Sequence, residues 1–441
     1  MRFSAHRICG DIDYVSSDDF VSISRSTNEK HFTRNRKMPL PKLLLTMLNR
    51  RGTSLAVELR RFRELTDSQE TISKPGYLKQ RQKLAPEAIV ALYDFHNESL
   101  YREEDMQTFK DHLILSSDGS GINVPTTKET LEKYGSSCNK KVKRKQASLG
   151  LSCLYDLINK VILCCSVNRV KFDETAQAMA HVVRLPSIIG DKSTIIVLDR
   201  GHPSLPLFHD WLSKDQKFVV RLKSNDFKAE QSHMRSNDEW CDIAINKSRL
   251  RNYEGTETYD LLKKAGSLRL RIVKTTLSGG TDVIVATNLD ESVFSTEDIT
   301  YIYSLRWGVE TAFDTLKNNL EIENFTGTMA ALIEQDIFAC VYLCNILQDM
   351  IADAQTSFDL SGKPPGKHKM AINKSYAVGI MKENLVKALL EPDKDRKSEI
   401  FMHMIDEIQE NVLPVRPGRS YYRNTKGTRS CKYSNTHKRC Y

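Results

Sequence analysis

The sequence predicts an α/β fold in which a mixed sheet is covered by helices, with a helical segment before it and a helical, basic one after it. Three observations carry this. Residues up to about 110 show helical periodicity, short β-branched runs alternate with helical stretches from His112 onward, and two long helical patterns follow a β-rich interval. At 441 residues the chain is long enough for roughly two to four domains and for a sizeable core.

Pro39-Leu40-Pro41 opens an apolar-periodic stretch through Leu43, Leu44, Met47 and Leu48, and Gly52 stops it. A second helical pattern begins near Pro75 with Tyr77 and Leu78 and carries Lys79, Arg81 and Lys83. A third starts at Ala85-Pro86 and continues through Ile89, Leu92 and Phe95. Residues 1–110 are therefore expected to form an N-terminal helical domain. Basic helical units of this kind suit DNA, and equally suit helical domains that bind nothing.

The texture changes at His112. Residues 112–118 read as a strand ending on an acid, Asp118, followed by a turn at Gly119-Ser120-Gly121. Residues 149–156 and 160–167 read as two further strands, 173–183 as a helix, and 193–199 as a β-branched strand ending on Asp199. A helix over 203–212 and a strand over 217–222 complete the first part of the core, 111–223. The interval 224–290 is expected to be a β-rich insertion, on the alternation of Leu268-Arg269-Leu270-Arg271-Ile272-Val273 and the apolar run at 283–286. Ser295 is the expected N-cap of a long helix reaching about Leu320, with Glu297 and Asp298 in its first turn. A helix over 332–352 follows, and 291–355 is the last part of the core. Residues 356–441 form a C-terminal helical region with a Pro/Gly/Lys linker at 362–369 and a basic tail beyond Pro414.

Lys and Arg outnumber Asp and Glu by 65 to 56, a formal charge of +9. The distribution is more telling than the sum, since residues 416–441 carry no Asp or Glu and 140–145 form a second basic run. Both suit phosphate contact, as they would suit a solvated face. Ten cysteines lack framework spacing; Cys164-Cys165 and the Cys340/Cys344 pair sit among apolar residues and read as reduced, buried thiols. Cys431, His437 and Cys440 do not make a zinc set, because no CxxC pair completes four ligands. Residues 1–14 lack an apolar signal region, and no stretch is expected to approach membrane-spanning length. The expectation is a soluble intracellular protein.

Asp118 and Asp199 each follow a short hydrophobic strand. There a sheet fixes the backbone while the side chain faces a crevice, and a carboxylate can bind a hard cation. Either acid alone reads equally well as the start of a turn. Glu310 has more company: at helical spacing Tyr303, Arg306, Glu310 and Lys317 fall within an arc of about 60°. Ile302, Leu305, Val309, Ala312, Leu316 and Leu320 occupy the neighbouring sector, so the polar stripe borders the buried face. An Arg306–Glu310 ion pair one turn apart, contributing about 0.2–0.5 kcal/mol, accounts for the geometry equally well.

The spacing Tyr303-x2-Arg306-x3-Glu310-x6-Lys317 resembles the YREK signature of bacterial insertion-sequence DDE transposases, and the surrounding Tyr303-Ser304-Leu305-Arg306-Trp307-Gly308-Val309-Glu310 agrees with it. Asp118-Gly119-Ser120 and Asp199-Arg200-Gly201 are similar to that family's other two catalytic blocks. Less specific likenesses extend to Phe32-Thr33-Arg34, Pro39-Leu40-Pro41 and the run from Arg416 to Tyr421.

The resemblance implies a ribonuclease-H-like mixed sheet with helices on both faces, interrupted by the β-rich insertion. It implies that Asp118, Asp199 and Glu310 are catalytic and hold two Mg²⁺ ions, with Mn²⁺ able to substitute and Asp118 bridging. Such an enzyme would cut and rejoin double-stranded DNA, both element terminal inverted repeats and target. It would act as a homodimer in the synaptic complex, in the bacterial cytoplasm at the nucleoid, with no membrane and no nucleotide cofactor. Tyr303, Arg306 and Lys317 would contact DNA near the cleavage point. Trp307 reads first as core, with base stacking as its other reading. Arg200 contacts DNA or pairs with an acid, and Ser120 meets a phosphate or forms the turn. The rival readings are a ribonuclease-H-like nuclease without strand transfer and a non-catalytic transposase-derived DNA-binding protein. A strand-transfer assay separates the first, a metal-dependent cleavage assay the second.

Overall fold

An eight-stranded mixed sheet organises the chain in this computed structural model, which describes residues 3–34, 37–66, 70–103, 106–137, 145–277, 279–361 and 368–416. Its strands are β1 (Leu113–Asn123), β2 (Ser148–Asp156), β3 (Ile162–Arg169), β4 (Thr194–Leu198), β5 (Lys217–Leu222), β6 (Asp238–Ala244), β7 (Ser267–Thr276) and β8 (Asp282–Thr287). Across the sheet they run β3-β2-β1-β4-β5-β8-β7-β6. The central trio β1, β4 and β5 is parallel, and the outer pairings on both sides are antiparallel.

Alternation along the central strands separates two cores. Ile114, Ile195, Val197 and Val219 face one core, packed with the helices Pro86–Glu103 and Ala330–Leu360. Leu113, Leu115, Ile196, Leu198, Phe218 and Val220 face the other, under the helices Glu174–Ile189 and Leu205–Ser213. Burial on both faces is why β4 reads as an unbroken apolar run, all of it buried.

Several expectations change. The Gly119-Ser120-Gly121 turn does not form; β1 continues to Asn123, paired with β2 through Gly119–Ser152 and Gly121–Gly150. The glycine at 119 serves close packing instead, since a Cβ there would lie 2.8 Å from Phe172 Cζ. The interval 224–290 supplies β6, β7 and β8 but also the helices Lys228–His233 and Glu257–Ala265. Through β8, hydrogen-bonded to β5, its strands become the outer half of the main sheet. The helix Ala330–Leu360 is, by length and composition, long and apolar enough to cross a membrane, against the sequence expectation. Here 89% of its most apolar window is buried inside the protein.

After that helix, Lys374–Leu390 and Lys394–Glu410 pack against each other and against it, beside the small antiparallel pair β9 (Met370–Ile372) and β10 (Val412–Pro414). Cys153, Cys164, Cys165, Cys340 and Cys344 are free and buried, as small hydrophobes should be. Cys431, His437 and Cys440, most of the 140–145 basic run and nearly all of the basic tail lie outside the described residues.

Candidate active site

The parallel register brings the first two acids together. Leu113 pairs with Thr194 and Ser116 with Val197, so the same register carried onward sets Asp118 level with Asp199, the residue after β4. Neighbouring strands lie about 4.8 Å apart. Because β4 stops at Leu198 while β1 runs on, Asp118 borders a crevice beyond the carboxyl end of β4. Asp118 is thus mid-strand, opposite Cys153 of β2, and not at a strand end. The opening comes from its neighbour's termination.

The third acid arrives on a helical run of changing pitch. Ser295 caps it through a capping box with Asp298, as the sequence suggested. The run is α-helical over Thr296–Ser304, tightens to 3₁₀ over Leu305–Trp307, resumes as α over Gly308–Asp314 and widens to π over Thr315–Asn319. A uniform helix was expected. The tight turn coincides with close approach to the β2–β3 connection, where a Cβ on Gly308 would sit 3.1 Å from Leu157 Cδ2.

Three side chains from this run meet the acids and their strand. Tyr303, 1% exposed, donates its hydroxyl to Asp199 Oδ1 at 3.1 Å. Arg306, 4% exposed, donates from Nη2 to Glu310 Oε1 at 3.3 Å, while its Nε is buried without an acceptor among the described residues. Lys317 Nζ donates to Ser120 Oγ at 2.7 Å and to the Gly121 carbonyl at 3.0 Å, tying the run to β1. From β5, Arg221 Nη1 stands 3.7 Å from Asp199 Oδ1.

These neighbours drive the two aspartates apart electrostatically. Burial pushes Asp118 up to about 6, and Glu174 and Glu310 add to it against the opposing pull of the Gly119 N–H and Arg306. Burial also pushes on Asp199, yet the Arg200 N–H, Arg306, the Tyr303 hydroxyl and Arg221 outweigh it and hold that carboxyl below its ordinary value. Arg306 thereby acts on all three acids: it lowers both aspartates and bonds Glu310.

Among the described residues no three His, Cys, Asp or Glu side chains stand in a ready-made metal cluster. The Arg306 guanidinium supplies positive charge that acts on the acids. The donor set nevertheless fits a hard divalent cation, because all three groups are carboxylates. Asp118, penalised by burial, is the group such a charge would relieve most.

Trp307 does not pack into the core. It is 45% exposed, with the Arg306 guanidinium 4.5 Å from its ring centroid, because Arg306 takes the inward position beside it. Arg200 points its side chain to solvent and serves Asp199 through its backbone N–H. Arg221 and Glu174 were not singled out from the sequence. The signal for Arg221 was a charge within the otherwise apolar end of β5.

Residues 109–346, more than half of the chain, match the profile of the transposase DDE domain family. A 94-residue stretch is 31% identical to the putative transposase InsL for insertion sequence element IS186A of Escherichia coli strain K12, covering 21% of this chain and 25% of that protein. The transposase for insertion sequence element IS421 of Escherichia coli matches at the same 31% over 94 residues, 24% of its length. The aligned stretch thus spans about a quarter of these relatives. Among solved structures, a piggyBac transposase synaptic complex with hairpin DNA superimposes with a TM-score of 0.47 at 11% identity, covering 94% of this chain and 87% of that one.

Proposed function

The chain belongs to the DDE-domain transposase family, and from that premise we propose that it binds the ends of an insertion sequence and catalyses their metal-dependent cleavage and strand transfer. One observation carries the reading: Asp118 and Asp199 stand level on adjacent parallel strands, and Glu310 joins them through Arg306.

In this reading the sheet is a ribonuclease-H-like core. Asp118, Asp199 and Glu310 would hold two Mg²⁺ ions, for which Mn²⁺ would substitute. The metal, when bound, supplies charge neutralisation at the phosphate and an activated water or 3′-hydroxyl. Everything else falls to the protein's own side chains. Tyr303 fixes Asp199 through its hydroxyl, and Arg221 keeps that carboxylate ionised. Arg306, with Nε unsatisfied, has donor capacity left for a phosphate oxygen, which guanidinium groups bind in bidentate fashion. Lys317 holds Ser120 and adds a point charge beside β1. Trp307, exposed beside Arg306, offers a stacking face for an unpaired base. Asp118 gives up its proton before it can bind a cation, so activity rises as pH climbs through about 6.

The partners are double-stranded DNA, at the element's terminal inverted repeats and at the target, and a second copy of the chain in the complex that pairs two ends. The site of action is the cytoplasm, at the nucleoid. Incubating the protein with pre-nicked end DNA, a target plasmid and Mg²⁺ tests the proposal. Joined products that Asp118→Asn, Asp199→Asn and Glu310→Gln each fail to make support it. Cleavage without joining would make the protein a nuclease, and neither activity in the wild type would leave only a DNA-binding protein.

A further inference from the structure

We propose that Glu323 is a positioning residue for the catalytic acids. With Lys317 it stands in for the strand missing beside the end of β1, and so holds Asp118 in register with Glu310; this rests on the functional reading above. β1 pairs with β4 only over Leu113–Ser116, while its pairing with β2 continues to Asn123. Beyond that point one edge of β1 has no neighbouring strand among the described residues.

Which backbone groups face that edge follows from the antiparallel alternation. Val124 N donates to the Ala147 carbonyl at 3.1 Å, whereas Ser148 N donates to the Gly135 carbonyl at 3.2 Å. Asn123 and Ser148 are therefore opposed without exchanging hydrogen bonds. The N–H of Asn123, like the carbonyl of Gly121 on the same side of the strand, points to the open edge. Such edge groups need partners once water is kept from them.

Side chains from the run that carries Glu310, and from the turn after it, meet both groups. Lys317 Nζ donates to the Gly121 carbonyl at 3.0 Å, and Glu323 Oε1 accepts from Asn123 N at 2.8 Å and from Asn123 Nδ2 at 3.3 Å. A cation takes the edge acceptor and an anion the edge donor, so each bond is charge-assisted. Between them the chain reverses at Glu321, φ 55°, which brings Glu323 back beside the strand. Ile322 and Phe325 are buried, and Asn324 Nδ2 donates to the Gly52 carbonyl at 3.0 Å, so a fixed segment presents the carboxylate. Asp118 lies earlier on the strand and Glu310 earlier on the run. Lys317 ties the two at one level and Glu323 at a second, where β4 gives β1 no support.

Hydrogen–deuterium exchange of the full chain, without DNA or metal, tests the clasp. Glu323→Ala should speed exchange at residues 119–124 about tenfold, the scale of one lost hydrogen bond. Glu323→Asp, one methylene shorter, should do the same, and Glu323→Gln, which keeps an accepting oxygen, should stay near the wild type. Single-turnover cleavage at saturating end DNA tests the role. Glu323→Ala and Glu323→Asp should lower the rate constant about a hundredfold, the scale for a 1 Å misplacement, with DNA affinity unchanged, and Glu323→Gln should keep most of the rate. A merely structural role would instead lower the amplitude and leave the rate constant alone. Wild-type exchange in Glu323→Ala, or a wild-type rate constant in it, would overturn the inference and leave the functional reading standing. If the wild type itself does not cut, the functional reading fails and takes this inference with it.

Discussion

Two aspartates in this molecule, one buried and one half-buried, are handled in opposite ways. Asp336, on the helix Ala330–Leu360 and 2% exposed, is held below its ordinary value despite burial, by Arg50, Arg81 and the Thr326 N–H. Both guanidinium groups reach its Oδ1 at 3.0 Å, and Thr326 N donates to Oδ2 at 2.7 Å. Arg81 is fully used as well: Nε meets Gln335 Oε1 and Nη2 the Leu332 carbonyl, each at 2.9 Å, and Nη1 meets the Thr326 hydroxyl. Asp118 has a far poorer set of partners. Its Oδ1 accepts from the neighbouring Gly119 N–H at 2.7 Å, and its carboxyl is pushed up to about 6. Arg306 nearby leaves Nε without an acceptor among the described residues. A buried charge completed within the chain holds the N-terminal helices to the core. A half-buried charge left incomplete is the kind of place where the proposed site would receive a ligand.

The comparison breaks most readily through activity. Asp199→Asn should lower end cleavage about 10⁴-fold, the scale for losing one member of a set that acts as a unit, while the melting temperature moves little. A gel-based cleavage time course reads this, and a loss under tenfold would remove Asp199 from the set. Stability probes the other region. Arg81→Met removes one of the two guanidinium partners of buried Asp336 and the donor to Gln335 Oε1 and the Leu332 carbonyl, and should cost about 3 kcal/mol in urea unfolding. A change below 1 kcal/mol would mean that the clasp is not what joins the helix Lys74–Arg81 to the long one.

The third test inverts the usual sign. Asp118 is raised from 3.8 to about 6, so between those values the folded chain holds a proton that the unfolded chain has lost. Stability therefore falls as pH rises through that window and stays lower above it. Asp118→Asn, which has no proton to lose, should be more stable than the wild type at pH 7.5, by about 1–2 kcal/mol after allowing for water access. The gain should vanish toward pH 4. Equal melting curves at both pH values would deny the strain at Asp118. The smallest effect belongs to Tyr303→Phe. Loss of the hydroxyl bond to Asp199 should cost about 1 kcal/mol of stability, while the acid limb of the cleavage pH profile, set by Asp118 near 6, stays in place. Unchanged urea unfolding would separate Tyr303 from Asp199.

The three acids stood out in the sequence as candidates through local patterns that had other readings, and the family resemblance chose among those readings. β4 is apolar on both faces and stops at Asp199, and Tyr303, Arg306, Glu310 and Lys317 repeat at helical spacing. What stayed hidden depends on partners distant in the chain. Gly119-Ser120-Gly121 reads as a turn until β2 is seen pairing beside it and Phe172 is seen lying over Gly119. The 224–290 interval reads as an insertion until β8 is seen hydrogen-bonded to β5. Trp307 was misread because Arg306, an unusual residue to bury, displaces it outward. Arg221 belongs to no spacing pattern; it reaches Asp199 through sheet order.

The most direct test of the account is Mg²⁺-dependent cleavage of the element's own terminal DNA by the wild type and by Glu310→Gln, with binding to the same DNA measured in parallel. The two proteins should bind alike and only the wild type should cut. Cutting by Glu310→Gln at the wild-type rate would contradict the assembly of Asp118, Asp199 and Glu310 into one catalytic site.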